Sequence, residues 1–282
     1  MKIILPILLA FGVLHGFPIV VHADEGLMKI VQEFKPPGSL LVSPEQPISV
    51  RAIQLYDFNN DGQKEIIFTF EVKAKEQPAP SQFGVIALEK KNKGWQKVWE
   101  TKTQGVGLGF SGLADITGDG TKEYLFGVTA GAAAGSQLDL FQWEDHSFKK
   151  AAEVPYHKMD LVNENQKVGI AVWQMYIGDS YLVDVLTWNG EKLVYDEELY
   201  SEYYPIIETF YQEKILKMDA WFYWYCLADA QIKANQIEKA AASIQKGRLL
   251  AKQLSMQEVV QGFNELNNKL EEKKKLQDRA PR

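Results

Sequence analysis

Two nine-residue segments with the same pattern of oxygen-bearing side chains most constrain what this 282-residue chain can fold into. Residues 57–65 read DFNNDGQKE and residues 115–123 read DITGDGTKE, so both follow the pattern D-x-[N/T]-x-D-G-x-x-E. Short β-rich stretches flank the first segment, at residues 51–56 and 66–70. The pattern therefore predicts a tight loop between two strands, and not the longer, helix-flanked loop of an EF-hand.

The chemistry of these segments points to a hard cation. The side chains at positions one, three, five and nine carry oxygen, and position seven can offer its backbone carbonyl. Ca²⁺ takes about six to eight oxygen ligands, so a short loop of this composition can wrap one ion. Glycine at position six suits the sharp turn, because glycine adopts a positive φ at little cost. The candidate ligands are Asp57, Asn59, Asp61, Gln63 and Glu65 in the first loop, and Asp115, Thr117, Asp119, Thr121 and Glu123 in the second.

Both segments resemble the calcium loops of FG-GAP and VCBS-type repeats, the units of integrin α-chain β-propellers and of many secreted bacterial proteins. The resemblance covers the middle of the chain, and it implies that positions one, three, five and nine bind Ca²⁺. Thr117 departs from the pattern, because its hydroxyl is a neutral and weaker ligand. The alternative is that both segments are turns without a metal, since Asp, Asn and Gly are common turn formers.

The loops belong to a β unit that repeats. The first unit spans about residues 48–102, the second spans about 106–153, and a third begins near residue 156. Trp143 and Trp188 lie 45 residues apart at one repeat position, which predicts that both belong to the core between units. Each unit reads as strand, loop, strand and hairpin, which is typical of a propeller blade. Three units predict a partial propeller whose open edges need a cover.

The third unit departs from the other two at its loop. Residues 160–168 carry valine at positions three and nine, so this segment is predicted to be a strand connection without a metal. Asp160 and Glu164 are the alternative, as residual ligands. The pair Asn189–Gly190 predicts a two-residue type I′ hairpin turn.

From about residue 200 the apolar spacing becomes helical. Helices are predicted over residues 24–34, 205–218, 220–234, 237–254 and 256–276. Ser255 is predicted to cap the last helix, with Glu258 reaching back to it. The run of aromatic residues 221–225 is apolar on every helical face, and it is predicted to dock the helical region onto the β units. The expected class is β+α: three propeller-blade-like antiparallel β units followed by an α-helical C-terminal region.

The N-terminus predicts export. Residues 1–23 combine Lys2, an apolar run and a small residue before Asp24, which is typical of a cleaved signal peptide. An uncleaved anchor is the alternative, although the run is short for a membrane-spanning helix. The sole cysteine, Cys226, excludes an intramolecular disulfide and is predicted to be buried. The predicted organisation is then a signal peptide (1–23), an N-terminal helix and linker (24–46), the β repeats (47–199) and the helical region (200–282).

Composition and motifs narrow the function. A net charge of −6 argues against a basic nucleic-acid-binding surface. After residue 23 the chain has two histidines, His146 and His157, which lack the spacing of a zinc site. Neither a serine-nucleophile elbow nor a phosphate-binding loop occurs. No catalytic residue is therefore nominated, and an enzymatic role is not favoured.

We expect a secreted or cell-envelope calcium protein that binds an unknown protein or glycan without catalysis, with Ca²⁺ in a structural role. One alternative is an exported hydrolase of polysaccharides that uses the repeats as a scaffold. It rests on a group of acids near the start of the helical region: Glu197, Glu198, Glu202 and Glu208. Another alternative is an envelope assembly factor that binds its partners through the C-terminal helices.

Overall fold

The computed structural model describes residues 25–76, 79–165 and 167–279. The predicted signal peptide, residues 1–23, lies outside the described residues. The chain divides into two compact units, residues 1–35 and residues 36–282. In the first unit, helix α1 (Glu25–Phe34) follows the helical spacing that the sequence predicts.

Three antiparallel sheets follow in chain order within the second unit. Sheet one contains β1 (Leu40–Leu41), β2 (Ile53–Tyr56), β3 (Glu65–Val72), β4 (Ser81–Lys91) and β5 (Gly94–Gly105). Sheet two contains β6 (Gly107–Ala114), β7 (Glu123–Gly131), β8 (Gly135–Glu144) and β9 (Ser147–Tyr156). Sheet three contains β10 (Lys158–Glu164), β11 (Lys167–Met175), β12 (Tyr181–Trp188) and β13 (Leu193–Tyr195). In sheets two and three each strand pairs with the next one along the chain, and none of the three sheets closes on itself within the described residues.

Successive sheets pack against each other through buried clusters, because both faces of the middle sheet are apolar. On β7, Tyr124 and Phe126 face sheet one, whereas Leu125 between them faces sheet three. This period of two explains why β7 reads as a continuous apolar run. Trp143 packs into the cluster between sheets one and two, and Trp188 packs into the cluster between sheets two and three. The prediction that both tryptophans belong to the core between units is confirmed.

The outer edge of β6, the first strand of sheet two, is paired with an earlier segment of the chain. The amides of Glu45 and Gln46 donate hydrogen bonds to the carbonyls of Leu108 and Gly109 on β6, over 2.9 and 3.0 Å. The amide of Ser111 donates in turn to the Gln46 carbonyl, over 3.2 Å. A covered edge strand cannot recruit a strand from another chain, so this segment protects sheet two from edge-to-edge association.

Four helices complete the second unit: α2 (Glu197–Lys217), α3 (Trp221–Lys233), α4 (Ile237–Gln253) and α5 (Gln257–Arg279). Helices α2 and α3 cover the face of sheet three that lies opposite sheet two, through a tyrosine-rich cluster that contains Tyr200, Tyr203, Tyr211 and Tyr223. Helices α3, α4 and α5 share a second cluster with each other. The predicted order of β units followed by helices is confirmed, and so is the docking role of residues 221–225. Cys226 is buried in the tyrosine-rich cluster, and burial raises its pKa to about 12.

Three local predictions are wrong. Helix α2 begins at Glu197 and contains Pro205, because Asp196 caps it eight residues earlier than predicted. Ser255 has a φ of 57°, which is the left-handed region, so it ends α4 and cannot cap α5. The turn at residues 189–192 is a four-residue loop, in which the Asn189 side chain accepts hydrogen bonds from the amides of Glu191 and Lys192.

None of the described helices combines the length and the apolar character needed to cross a bilayer.

Asp196 links the helices to sheet three. Its carboxylate accepts hydrogen bonds from the Leu199 amide at the start of α2 (2.9 Å), from the Thr187 hydroxyl on β12 (3.1 Å) and from the Lys167 ammonium on β11. Burial alone would raise the pKa of Asp196, but the bonds from Lys167, Leu199 and Thr187 outweigh it and hold the pKa below its usual value. One side chain thus fixes the entry of the helical region.

Asp196→Ala is expected to lower the free energy of unfolding by about 2 kcal/mol, because the change removes a helix cap together with an ion pair. A urea titration at pH 7 measures the loss. Asp196→Asn keeps an acceptor for the Leu199 amide and is the matched control, with a loss of about 1 kcal/mol. Since the folded-state pKa is depressed, the ionic contribution of Asp196 is present above the unfolded pKa and is lost as the pH falls through the folded pKa. Equal stability of Asp196→Ala and the unchanged protein would contradict this role.

Candidate functional site

Both candidate calcium loops connect neighbouring antiparallel strands within one sheet. Residues 57–64 join β2 to β3, and residues 115–122 join β6 to β7. The last residue of each pattern, Glu65 or Glu123, is the first residue of the strand that follows. The structure therefore places each predicted ligand set in a single loop, closed by the start of a central strand.

In the first loop the side chains at positions one, three and five bind the backbone of the loop itself. The carboxylate of Asp57 accepts hydrogen bonds from the amides of Asp61 (3.2 Å) and Gly62 (2.9 Å). The side-chain carbonyl of Asn59 accepts from the Asp61 amide over 3.0 Å, and Asp61 accepts from the Gln63 amide over 2.7 Å. These bonds turn the oxygen atoms of three side chains toward the same short stretch of backbone.

The second loop repeats this arrangement with one difference. Asp115 accepts hydrogen bonds from the amides of Gly118 (2.8 Å) and Gly120 (3.0 Å), and Asp119 accepts from the Thr121 amide (2.7 Å). Thr117 at position three instead donates its hydroxyl to Oε1 of Glu123 over 2.8 Å. The oxygen of Thr117 is thus already engaged with another candidate ligand, in line with the weaker role that the sequence predicts for it.

Glutamate at position nine is buried and holds the start of its own loop. Glu65 is 1 % exposed, and its Oε2 accepts a hydrogen bond from the Phe58 amide over 2.8 Å. Glu123 is 2 % exposed, and its Oε2 accepts from the amides of Ile116 (2.7 Å) and Thr117 (3.1 Å). Each carboxylate therefore ties the first turn of the loop to the central strand.

Position two, which sequence reasoning did not consider, anchors each loop to the next sheet. Phe58 is buried, and its ring stacks on Trp143 and meets Phe148 edge-on, both in sheet two. Ile116 is buried in the cluster between sheets two and three. An apolar residue inside an otherwise polar loop was the available signal. The conformation of each loop is consequently coupled to the packing between two sheets.

The electrostatics of both loops favour a cation. Burial raises the pKa of Glu65 against the hydrogen bond from the Phe58 amide, and the nearby carboxylates of Asp61 and Glu89 raise it further. Burial likewise raises the pKa of Glu123 against its bonds from Thr117 and Ile116, and Asp119 adds to the effect. A buried carboxylate beside a second carboxylate is costly when ionised, and a bound cation removes that cost.

The donor set of each loop fits Ca²⁺ in its chemistry. A carboxylate has about four lone-pair positions, and the hydrogen bonds from backbone amides described above leave some of them free. Carboxylate, amide and carbonyl oxygens are the ligands that Ca²⁺ prefers. Within residues 25–76, 79–165 and 167–279, no three His, Cys, Asp or Glu side chains form a ready-made metal-binding group. The assignment of Ca²⁺ therefore stays a prediction.

The third unit has a different connection at the equivalent place. Asp160 lies within β10, and its carboxylate accepts a hydrogen bond from the Tyr203 hydroxyl of α2. Strands β10 and β11 stay paired as far as Glu164 and Lys167, so two residues replace the long loop. In this unit the aspartate therefore contributes to the contact between sheet three and the helices.

A pocket of about 400 Å³ adjoins sheets two and three and helix α2. Aromatic rings of Phe110, Trp173 and Phe210 line it, together with the carboxyl groups of Glu45 and Asp160. Such a mixture of rings and hydrogen-bonding groups is able to hold a small polar ligand. Sequence reasoning missed this pocket, because its lining residues are spread from position 45 to position 210.

Two of the four acids on which the hydrolase alternative rests form ion pairs with lysines. Glu197 pairs with Lys273 over 2.9 Å, and Glu208 pairs with Lys239 over 2.7 Å. The hydrogen bond from Lys273 lowers the pKa of Glu197. For Glu208, burial acts in the opposite direction, but the bond from Lys239 outweighs it and lowers the pKa. A general acid needs a raised pKa, so these two carboxylates give that alternative no support.

Comparison with known proteins found no protein-family model that matches this chain and no curated protein similar to it.

Proposed function

We propose that this protein is a calcium-binding module that binds its partner without catalysis, outside the cell or in the cell envelope. Its three β units resemble FG-GAP repeats, arranged as a partial propeller with the helices as its cover. The observation that carries the proposal is that two loops, far apart in the chain, close in the same way. In both loops, the aspartate at position one accepts hydrogen bonds from backbone amides of the loop. The buried glutamate at position nine accepts a hydrogen bond from the amide at position two, at the start of the loop.

The ion would have a structural role. Asp57, Asn59, Asp61, Glu65 and the Gln63 carbonyl would hold it in the first loop, and Asp115, Thr117, Asp119, Glu123 and the Thr121 carbonyl would hold it in the second. A bound Ca²⁺ supplies positive charge that neutralises converging carboxylates. Because Phe58 and Ile116 anchor the loops to neighbouring sheets, fixing a loop also stabilises the packing between sheets. In a chain without an intramolecular disulfide, the bound ion would thus supply stability that a disulfide would otherwise supply.

The pocket beside α2 offers a place for a small ligand of this module. Its carboxyl groups can accept hydrogen bonds from hydroxyl groups, and its rings can pack against the apolar face of a sugar. A glycan is therefore the ligand class that this pocket favours, and Trp173 supplies a fluorescent reporter within it. Titration with N-acetylglucosamine, glucose and galactose tests the ligand class, and unchanged fluorescence with all three would contradict it.

Addition of 1 mM CaCl₂ to chelator-treated protein is expected to raise the free energy of unfolding by about 1.4 kcal/mol for each site with a Kd near 10⁻⁴ M. Thermal melting with CaCl₂ or EDTA measures the shift, and calorimetry measures the heat of binding. Asp61→Ala and Asp119→Ala are each expected to remove one site. Glu213→Gln, which changes an exposed acid on α2, is the control and should keep the full shift.

The proposal fails if CaCl₂ produces neither heat of binding nor a shift in melting. It also fails if the melting temperatures of Asp61→Ala and Asp119→Ala respond to CaCl₂ as much as that of the unchanged protein.

A further inference from the structure

The two loops differ in the residue that lies across the sheet from their buried glutamate. Ile66 on β3 pairs with Leu88 on β4, so the next residues along the two strands, Glu65 and Glu89, lie opposite each other. Side chains directly opposite on antiparallel strands share one face, with Cβ atoms about 5 Å apart. Glu65 is 1 % exposed and Glu89 is 3 % exposed. Two buried carboxylates thus face each other at the end of the first loop.

This pair is costly as it stands. Like charges directly opposite on neighbouring strands repel, and they repel more strongly when they are shielded from water. Oε1 of Glu89 lies 2.7 Å from Nδ1 of His146, and Oε2 forms an ion pair with the Lys91 ammonium. Oε2 is buried, and within the described residues no hydrogen bond of regular geometry adds to this ion pair. Asp61, Glu89 and His146 also line one shallow crevice. Among the described residues, the charge of this buried carboxylate is therefore balanced only from the solvent side, by the side chains of Lys91 and His146.

The second loop has no such pair. Tyr124 on β7 pairs with Phe141 on β8, so the residue across the sheet from Glu123 is Gln142, which is neutral. The chain therefore contains its own matched comparison, in which a glutamate and a glutamine occupy the same position of two equivalent sheets.

We propose that Glu89 belongs to the first cation site and makes it the tighter of two unequal Ca²⁺ sites. The inference rests on the proposed calcium function of the loops. Affinity for Ca²⁺ rises with the number of charged ligands around the ion. The first loop combines Asp57, Asp61 and Glu65 with Glu89, whereas the second loop has Asp115, Asp119 and Glu123 alone. Lys91 compensates Glu89 until a divalent ion replaces that compensation.

Calorimetric titration of the chelator-treated protein with CaCl₂ tests the inference. The unchanged protein should show two classes of site, and the single variants Asp61→Asn and Asp119→Asn assign them to the loops. Glu89→Gln, which copies the second sheet, should weaken the tighter site about tenfold, because one charge about 6 Å from a divalent ion has roughly that effect even in water. The weaker site should not change. Gln142→Glu should strengthen the weaker site and leave the tighter one unaltered.

Lys91→Met keeps the inference testable if Glu89→Gln does not fold. Loss of the competing ammonium should tighten the first site several-fold and leave the second unchanged. Circular dichroism spectra verify the fold of each variant. If two sites bind Ca²⁺ and Glu89→Gln alters neither, the inference is overturned while the proposed function stands. If CaCl₂ gives no heat with the unchanged protein, the proposed function is overturned and the inference with it.

Discussion

Replacement of Tyr211 by alanine is expected to lower the free energy of unfolding by about 5 kcal/mol, which is the largest effect that we predict for a single change. The Tyr211 side chain is fully buried in the cluster between α2, α3 and sheet three. Its hydroxyl accepts a hydrogen bond from the Tyr181 amide over 2.8 Å and donates one to the Tyr181 carbonyl. Truncation therefore leaves a large cavity and also two buried backbone groups without a partner.

Tyr211→Phe separates these two costs. The phenylalanine ring fills the same space, so a loss of about 2 kcal/mol is expected from the hydrogen bonds alone. Leu216→Ala, on the exposed side of the same helix, should change stability by less than about 0.5 kcal/mol. Urea titration at pH 7 yields all three values from one kind of curve. If Tyr211→Ala proves as stable as Tyr211→Phe, the helices do not form the cover of sheet three that the structure shows.

The order of β units and helices was predictable because its signals are local. Strands that flank the two loops show apolar runs bounded by turn residues, and the repeat at 45 residues linked the second unit to the third. Local signals failed at boundaries that depend on tertiary contacts. Asp196 caps α2 while it also binds Lys167 and Thr187, and no spacing along the chain reveals those partners.

The candidate site shows the same limit. The ligand positions of each loop follow from the sequence, because one short segment supplies all of them. Glu89 lies 24 residues beyond Glu65, and only the pairing of β3 with β4 places the two side chains opposite each other. Register depends on which faces become buried, so a single-residue shift would have moved Glu89 to the opposite face. The residues around the pocket are equally scattered, and packing alone assembles them.

Glu123→Ala is expected to lower the free energy of unfolding by about 4 kcal/mol when EDTA is present. The change removes the acceptor of the buried Ile116 amide and of the half-buried amide and hydroxyl of Thr117, and an unsatisfied buried donor costs about 2 kcal/mol. Loosening of this loop also releases Ile116 from the cluster between sheets two and three. The loss should therefore exceed what one surface turn contributes, and urea titration measures it.

Glu123→Gln is the matched control, because glutamine keeps one oxygen acceptor in nearly the same volume. Burial raises the pKa of Glu123, so its ionised form is disfavoured in the folded protein, and the neutral glutamine avoids that cost. A loss of only about 1 kcal/mol is expected for Glu123→Gln in EDTA. With CaCl₂ the difference in stability between the unchanged protein and Glu123→Gln should grow, since glutamine keeps the loop closed but contributes no charge to the ion. Equal stability of Glu123→Ala and Glu123→Gln in EDTA would show that amide capture does not hold the loop, and the role of position nine would then rest on the cation alone.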